Sequence, residues 1–231
     1  MENENDHEYM DVTLRISQTL SQVYPDDEES MISKYHGDIM LWNKNMTKQK
    51  KIGYLEASVI EIERSMNCDI PMVDVFDTSQ ELMDYYCYLV PKGRRNLYFP
   101  FSKAIYGLAN EKDPSYNLNI LVIHMLQILP RYRGKDYGLQ AMHLALDHLG
   151  RGCFISVITP FPLQCNKEGN WEKRMELDLF PGEERIWTRK LKRHYARLGF
   201  VPIKGTPIMA LDIGHGVTPW EKHVNSSVFA R

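Results

Sequence analysis

The chain has 231 residues, a formal net charge of −2, and 43% hydrophobic against 25% charged residues. That length and balance fit one large soluble domain, or one domain with an elaborated terminus. The near-neutral charge argues against a broadly basic binder of nucleic acid or anionic membrane. No apolar run reaches the roughly 18 residues of a membrane span, and the acidic start MENENDHEYM lacks the layout of a secretory leader.

Residues 1–8 read as disordered. Met10, Val12, Leu14 and Ile16 alternate with polar residues, which is strand periodicity. Pro25-Asp26-Asp27-Glu28-Glu29 reads as a turn opening a short helix toward Ile32. Asp38 to Trp42 and Ile52 to Ile62 read as strands joined by a polar hairpin loop over 43–51. Asp77 to Glu81 offers capping residues before Leu82, Tyr85, Tyr86 and Leu89 at helical spacing, and Pro91 and Gly93 end that helix. Residues 94–118 read as a further helix or buried excursion. Tyr85, Tyr86, Tyr98, Phe99 and Phe101 read as core aromatics.

Ile120 to Ile128 is an apolar run suited to a buried strand, and Pro130 ends it. His124 is the polar exception within it. A basic turn carrying Gly134 and Gly138 follows. Leu139, Met142, Leu144, Leu146 and Leu149 then take near-helical spacing to Gly150. Strand, glycine-bearing turn and helix is the layout that presents free backbone N–H groups to a phosphate. Cys153 to Thr159 reads as the next strand, parallel to the first because a helix separates them. Residues 163–183 form a charged insertion containing Trp171, longer than an ordinary connection and placed to act as a lid. Glu183 to Leu198 is a basic amphipathic helix with Gly199 as its cap, 208–213 a last strand, and 214–231 an irregular tail in which Trp220 has the bulk to dock.

The four cysteines, Cys68, Cys87, Cys153 and Cys165, show no CxxC pairing and no histidine at ligand spacing. No metal site is therefore expected, and the setting reads as reducing and cytoplasmic. Cys153 belongs to an apolar run; Cys165 follows a proline-rich turn and reads as exposed. Ser156 lacks the Gly-x-Ser-x-Gly surroundings of a hydrolase nucleophile. His143 and His194 fall at helical surface positions and receive no role.

Arg133-Gly134-Lys135-Asp136-Tyr137-Gly138 resembles the acyl-CoA-binding signature of the GNAT superfamily of N-acetyltransferases: Arg or Gln, two residues, Gly, one residue, then Gly or Ala. Tyr195-Ala196-Arg197-Leu198-Gly199-Phe200 is similar to that family's Tyr, three residues, Gly-Phe helix end. The resemblance covers about 119–212. It implies an α+β fold: a mixed, mostly antiparallel central sheet with a splayed parallel strand pair and helices on both faces. Residues 9–213 would form a single such domain, interrupted by the insertion 163–183.

The resemblance further implies acetyl-CoA, or another acyl-CoA, held by Arg131, Arg133, Gly134, Lys135, Asp136, Tyr137 and Gly138. Ile128 would offer a backbone N–H to the thioester carbonyl, and Thr188 stands where family members often carry a cofactor-binding asparagine. The acyl group would pass to an amine by direct attack. Tyr195 matches the family's acid, and a phenol with an ordinary pKa near 10 carries its proton at neutral pH. For the base, Glu61, with Glu63 beside it, and His124 are candidates. A buried histidine satisfied by the core, or a water chain, is the alternative.

Asp136 departs from the signature, which has glycine there. A carboxylate beside a pyrophosphate is unfavourable unless it turns away to cap the following helix or pairs with Arg131 or Lys135. A binding or regulatory module with altered catalysis is therefore an alternative. So is an acyltransferase for a nucleic-acid-linked amine, since Arg185, Arg189, Lys190, Lys192, Arg193 and Arg197 make a basic stripe. The stripe also reads as a solvated helix face. Partners are thus an acyl-CoA and an amine acceptor, no membrane, and a homodimer as one compatible state.

Overall fold

The computed structural model describes residues 9–19, 27–91, 101–108, 117–165 and 183–223. Among these, seven strands form one sheet in the order β1-β2-β3-β4-β5-β7-β6. They are β1 Tyr9–Thr19, β2 Ile32–Asn43, β3 Gln49–Ile60, β4 Ile120–Ile128, β5 Ile155–Ile158, β6 Val201–Pro202 and β7 Met209–Asp212. Each pairing is antiparallel except β4 with β5. The helices are α1 Ile62–Asn67, α2 Met72–Phe76, α3 Gln80–Leu89, α4 Lys103–Tyr106, α5 Tyr137–Leu149 and α6 Glu184–Ala196. The architecture is α+β, as expected, with a mostly antiparallel mixed sheet.

Strand alternation divides the core. Ile120 and Val122 pack with Ile60, Phe76, Leu82, Tyr85 and Phe101 on the α1–α4 side. Leu121 and Ile123 pack with Leu139, Met142, Leu146, Tyr195 and Leu198 on the α5 side. β4 is therefore apolar over Ile120 to Ile123, where both of its faces are covered. Burial of each such Leu or Ile stabilises the fold by about 1.5–3 kcal/mol.

β2 begins six residues before the expected Asp38, since Ile32 pairs with Ile60 of β3. Ser33 to His36 are too polar to announce a strand; the partner's ladder hydrogen bonds hold them extended. The 43–51 loop is shorter than expected: the Asn43 side chain accepts from the amides of Thr47 and Lys48, and β3 starts at Gln49. β3 ends at Ile60 because Ile62 opens α1, which sequence periodicity did not reveal. α2 and the two-residue β6 were likewise unexpected. Trp220 does dock: it packs beside His143, ring centroids 5.8 Å apart, against the α5-side core. The expected disorder of 1–8, the bulk of the lid (166–182), Tyr98 and Phe99 lie outside the described residues.

Candidate functional site

The parallel pair holds only from Ile120 with Ile155 to Ile123 with Ile158. β4 then runs on to Ile128 while β5 stops. Pro160 and Pro162 supply no ladder donors, so the sequence itself ends β5 and leaves a fork. A cavity of about 560 Å3 opens there, bounded by Leu126 and Ile128 of β4, Gly134 and Gly138 of the turn, and Phe161 to Leu163.

The turn is built to bring backbone close. Gly134 has φ +79° and Asp136 φ +59°, both left-handed. Asp tolerates that region better than most side chains, which is how it occupies a position where glycine is expected. A Cβ on Gly138 would lie 3.3 Å from Ile128, so its bareness lets α5 sit against the strand end. The first α5 hydrogen bond runs from Gln140 N–H to the Asp136 carbonyl. The amides of Tyr137, Gly138 and Leu139 therefore have no intrahelical acceptor, and Tyr137 and Gly138 line the cavity.

Asp136 does not cap α5: its side chain makes no cap hydrogen bond. It does not pair with Arg131 or Lys135 as proposed from sequence; it accepts two hydrogen bonds from Arg197, at 2.7 and 2.6 Å. Arg197 closes α6, so this bidentate pair ties the start of one helix to the end of another. The guanidinium holds the Asp136 carboxyl below its ordinary range. Arg133 spends its Nε–H on the Ile128 carbonyl, 2.8 Å away, and so fixes the turn to the strand it leaves. Arg131 lies over the Tyr132 ring, and neither it nor Lys135 lines the cavity.

α6 forms the facing wall with Trp187, Lys190, Leu191, His194 and Tyr195. Thr188, expected there, is not among the lining residues; the helix turns its neighbour Trp187 inward instead. Lys190 sits 4.0 Å from the Trp187 ring centroid and brings a cation to the cavity edge. Tyr195 is 6% exposed, and burial pushes its phenol up to about 12, so it stays protonated across the neutral range. His194, given no role from sequence, also lines the cavity. Its pKa is lowered, mainly by burial and also by the nearby Arg197 charge.

On the opposite face, α3 bridges the two prongs. Tyr85 hydrogen-bonds Thr159, just past β5, at 3.1 Å, and Glu81, one turn earlier, meets His124 of β4 at 2.8 Å. His124 is the extra residue of a β-bulge, since Ile123 pairs with Ala57 and Met125 with Glu56. Bulges re-aim side chains. The second ring nitrogen of His124 lies 2.9 Å from Ser58 Oγ. Glu81 and Ser58 were not identified from sequence. They stand 43 and 66 residues from His124, and Glu81 reads locally as a helix-start carboxylate.

Glu61 is not brought to this group. It lies beyond Ile60, which pairs with the first residue of β4, and its carboxylate engages Ser33 and Arg64. Glu63 follows it into α1. Among the described residues, no three His, Cys, Asp or Glu side chains gather at metal-binding distance. No described helix is long and apolar enough to cross a membrane. No protein-family model matches the chain, and no curated protein sequence matches it.

Proposed function

We propose that the protein is a GNAT-like acyltransferase that moves an acyl group from acyl-CoA, acetyl-CoA foremost, to an amine by direct attack. The observation that carries this reading is the fork between β4 and β5, with its cavity ending at the first turn of α5, whose amides have no intrahelical acceptor. An anion is favoured at such a helix start by both the N–H groups and the helix dipole. The walls of Leu126, Ile128, Phe161 and Leu191 suit an extended, mostly apolar arm. Asp136 leaves the phosphate position less negative because Arg197 already neutralises it.

When bound, the thioester supplies an acyl group already activated toward nucleophiles. The chain's own residues supply the remainder. β4 amides on the side that β5 has left are free of the parallel ladder beyond Ile123, and can donate to a developing oxyanion. Tyr195, protonated and at the cavity wall, is the acid for the departing sulfur. His124, held by Glu81, is the proton acceptor on the other face of the fork.

Thermal unfolding with acetyl-CoA, together with thiol release against a panel of primary amines, tests the reading. At about 100 times the dissociation constant, a ligand bound only by the native state adds about 2.7 kcal/mol of stability. Stabilisation with thiol release supports acyl transfer. Stabilisation without turnover of any amine indicates a binding module instead, and absence of both removes the coenzyme from the account.

A further inference from the structure

The two edges of the sheet differ in how they are guarded. Among the described residues, β6 closes one edge with two residues, one of them Pro202, and so offers almost no ladder to a newcomer. β1 closes the other edge with 11 residues and, among the described residues, pairs on one side alone, with β2. From Asp11 to Thr19 that ladder runs without a bulge, so the outer side of β1 carries a regular row of backbone donors and acceptors. The strand contains no proline, glycine or lysine, the usual guards of an open edge. Its only charged residues are Asp11 and Arg15, of opposite sign.

We propose that β1 pairs antiparallel with β1 of a second copy of this chain, about a dyad at Thr13, and so joins two sheets into one. The residues of the strand select that partner and that register. Side chains two apart share a face of the sheet. Asp11, Thr13 and Arg15 thus lie on one face. Val12 and Leu14 lie on the other, packed against the cluster that holds Tyr137 and Ala141 of α5. A dyad at Thr13 sets Asp11 opposite Arg15 of the second copy, Val12 opposite Leu14, and Thr13 opposite its own counterpart. Each charge then meets its opposite, and each apolar side chain meets an apolar one, at about 4.5–5.5 Å between Cβ atoms.

Within one chain Asp11 and Arg15 stand four residues apart on an extended strand, about 13 Å, and cannot meet. Arg15 donates one N–H to the Gln49 side-chain oxygen at 3.1 Å, which leaves further guanidinium donors. The Asp11 carboxylate has no partner among the described residues. Other registers lose the match. A dyad at Asp11 or Arg15 opposes like charges, and a dyad at Val12 or Leu14 leaves both charges without a counterpart. A parallel in-register pair opposes like charges at both positions. Each copy uses its β1 once, so the pairing closes at two. The matched stretch is short, so the dimer should dissociate at about micromolar concentration. Nothing in this pairing depends on acyl transfer, since neither β1 nor β2 lines the cavity in the fork.

Sedimentation equilibrium of the full chain from about 1 to about 200 μM tests the pairing. The wild type should pass from monomer to dimer and no further, and about 0.5 M NaCl should weaken the dimer. Asp11→Arg and Arg15→Asp each turn both cross-strand ion pairs into like-charge pairs. Each should raise the dissociation constant by about 10-fold or more, with a melting temperature near that of the wild type. An equimolar mixture of the two variants again opposes unlike charges at both positions, so it should recover the dimer at wild-type strength or tighter. The chain carrying both substitutions should recover it as well. A chain that stays monomeric throughout overturns the proposal and leaves the edge to a strand of another protein. Unchanged dissociation constants in both single variants overturn it by placing the contact on another surface. Loss of dimer that neither the mixture nor the double variant recovers overturns the register, and growth beyond the dimer overturns the closed pairing.

Discussion

Asp136 meets two opposing demands at one position. Its backbone stands in the left-handed region, where glycine is cheapest, while its carboxylate joins α5 to α6 through Arg197. Asp136→Gly should relax the backbone, free Arg197 toward the cavity, and tighten acetyl-CoA binding, read by calorimetric titration. Asp136→Ala keeps the strained backbone and loses the pair, so it should lower thermal stability more than glycine does.

The same residue shapes the response to acid. Asp136 and Glu81 both have folded-state pKa values below their ordinary 3.8 and 4.5, through Arg197 and His124 respectively. Their stabilisation is present above those values and is lost as pH falls through the lower folded ones. His194 titrates earlier. Its folded pKa lies below 6.5, so the unfolded chain binds a proton the native state resists, and stability declines as pH drops below 6.5. Melting temperature against pH should therefore fall in two stages. His194→Gln should remove the first, and Asp136→Asn should shrink the second.

At the scale of elements, the fork depends on two contacts that differ in kind. One is backbone proximity: a Cβ on Gly53 would lie 2.1 Å from the Gln127 carbonyl, so only glycine lets β3 approach the end of β4. Gly53→Ala must push the strands apart and should destabilise by about 2–4 kcal/mol in denaturant titration, the range of severe overpacking. The other is α3, whose Glu81 and Tyr85 reach one prong each. Tyr85→Phe removes only the bond to Thr159. It should cost about 1 kcal/mol and leave the Glu81–His124 contact intact, which the histidine NMR signal checks.

At the scale of the molecule, the residues after β7 return to the body. His143 Nε2–H donates to the Thr218 carbonyl at 2.8 Å, and Trp220 packs on the α5-side core. Trp220→Ala should lower the melting temperature by several degrees without abolishing the acetyl-CoA shift, since the cavity lies elsewhere.

Those features were legible in the chain to the extent that their causes are local. The bounds of β4, the end of α5 at Gly150 and the turn with Gly134 and Gly138 follow from apolar runs, proline and glycine, whose effects act within a few residues. Helical spacing put Tyr195 on the apolar face of α6, and only the resemblance to the family motif pointed it at a site. By contrast, Asp136 reads as a helix cap, or as a partner of Arg131 or Lys135, and instead meets Arg197; Glu61 reads as facing the cleft and instead engages Ser33 and Arg64; and Thr188 reads as cofactor-binding but does not line the cavity. Each error concerns where a side chain points after packing. The sequence alone determined β4, the amide-rich turn and α5, because short-range sterics and hydrophobic period are written residue by residue. Only the tertiary structure decided the Ser58–His124–Glu81 chain and the Asp136–Arg197 tie. A bulge one residue long and the crossing of α3 over β4 select those partners from across the chain, and nothing in local spacing encodes that choice.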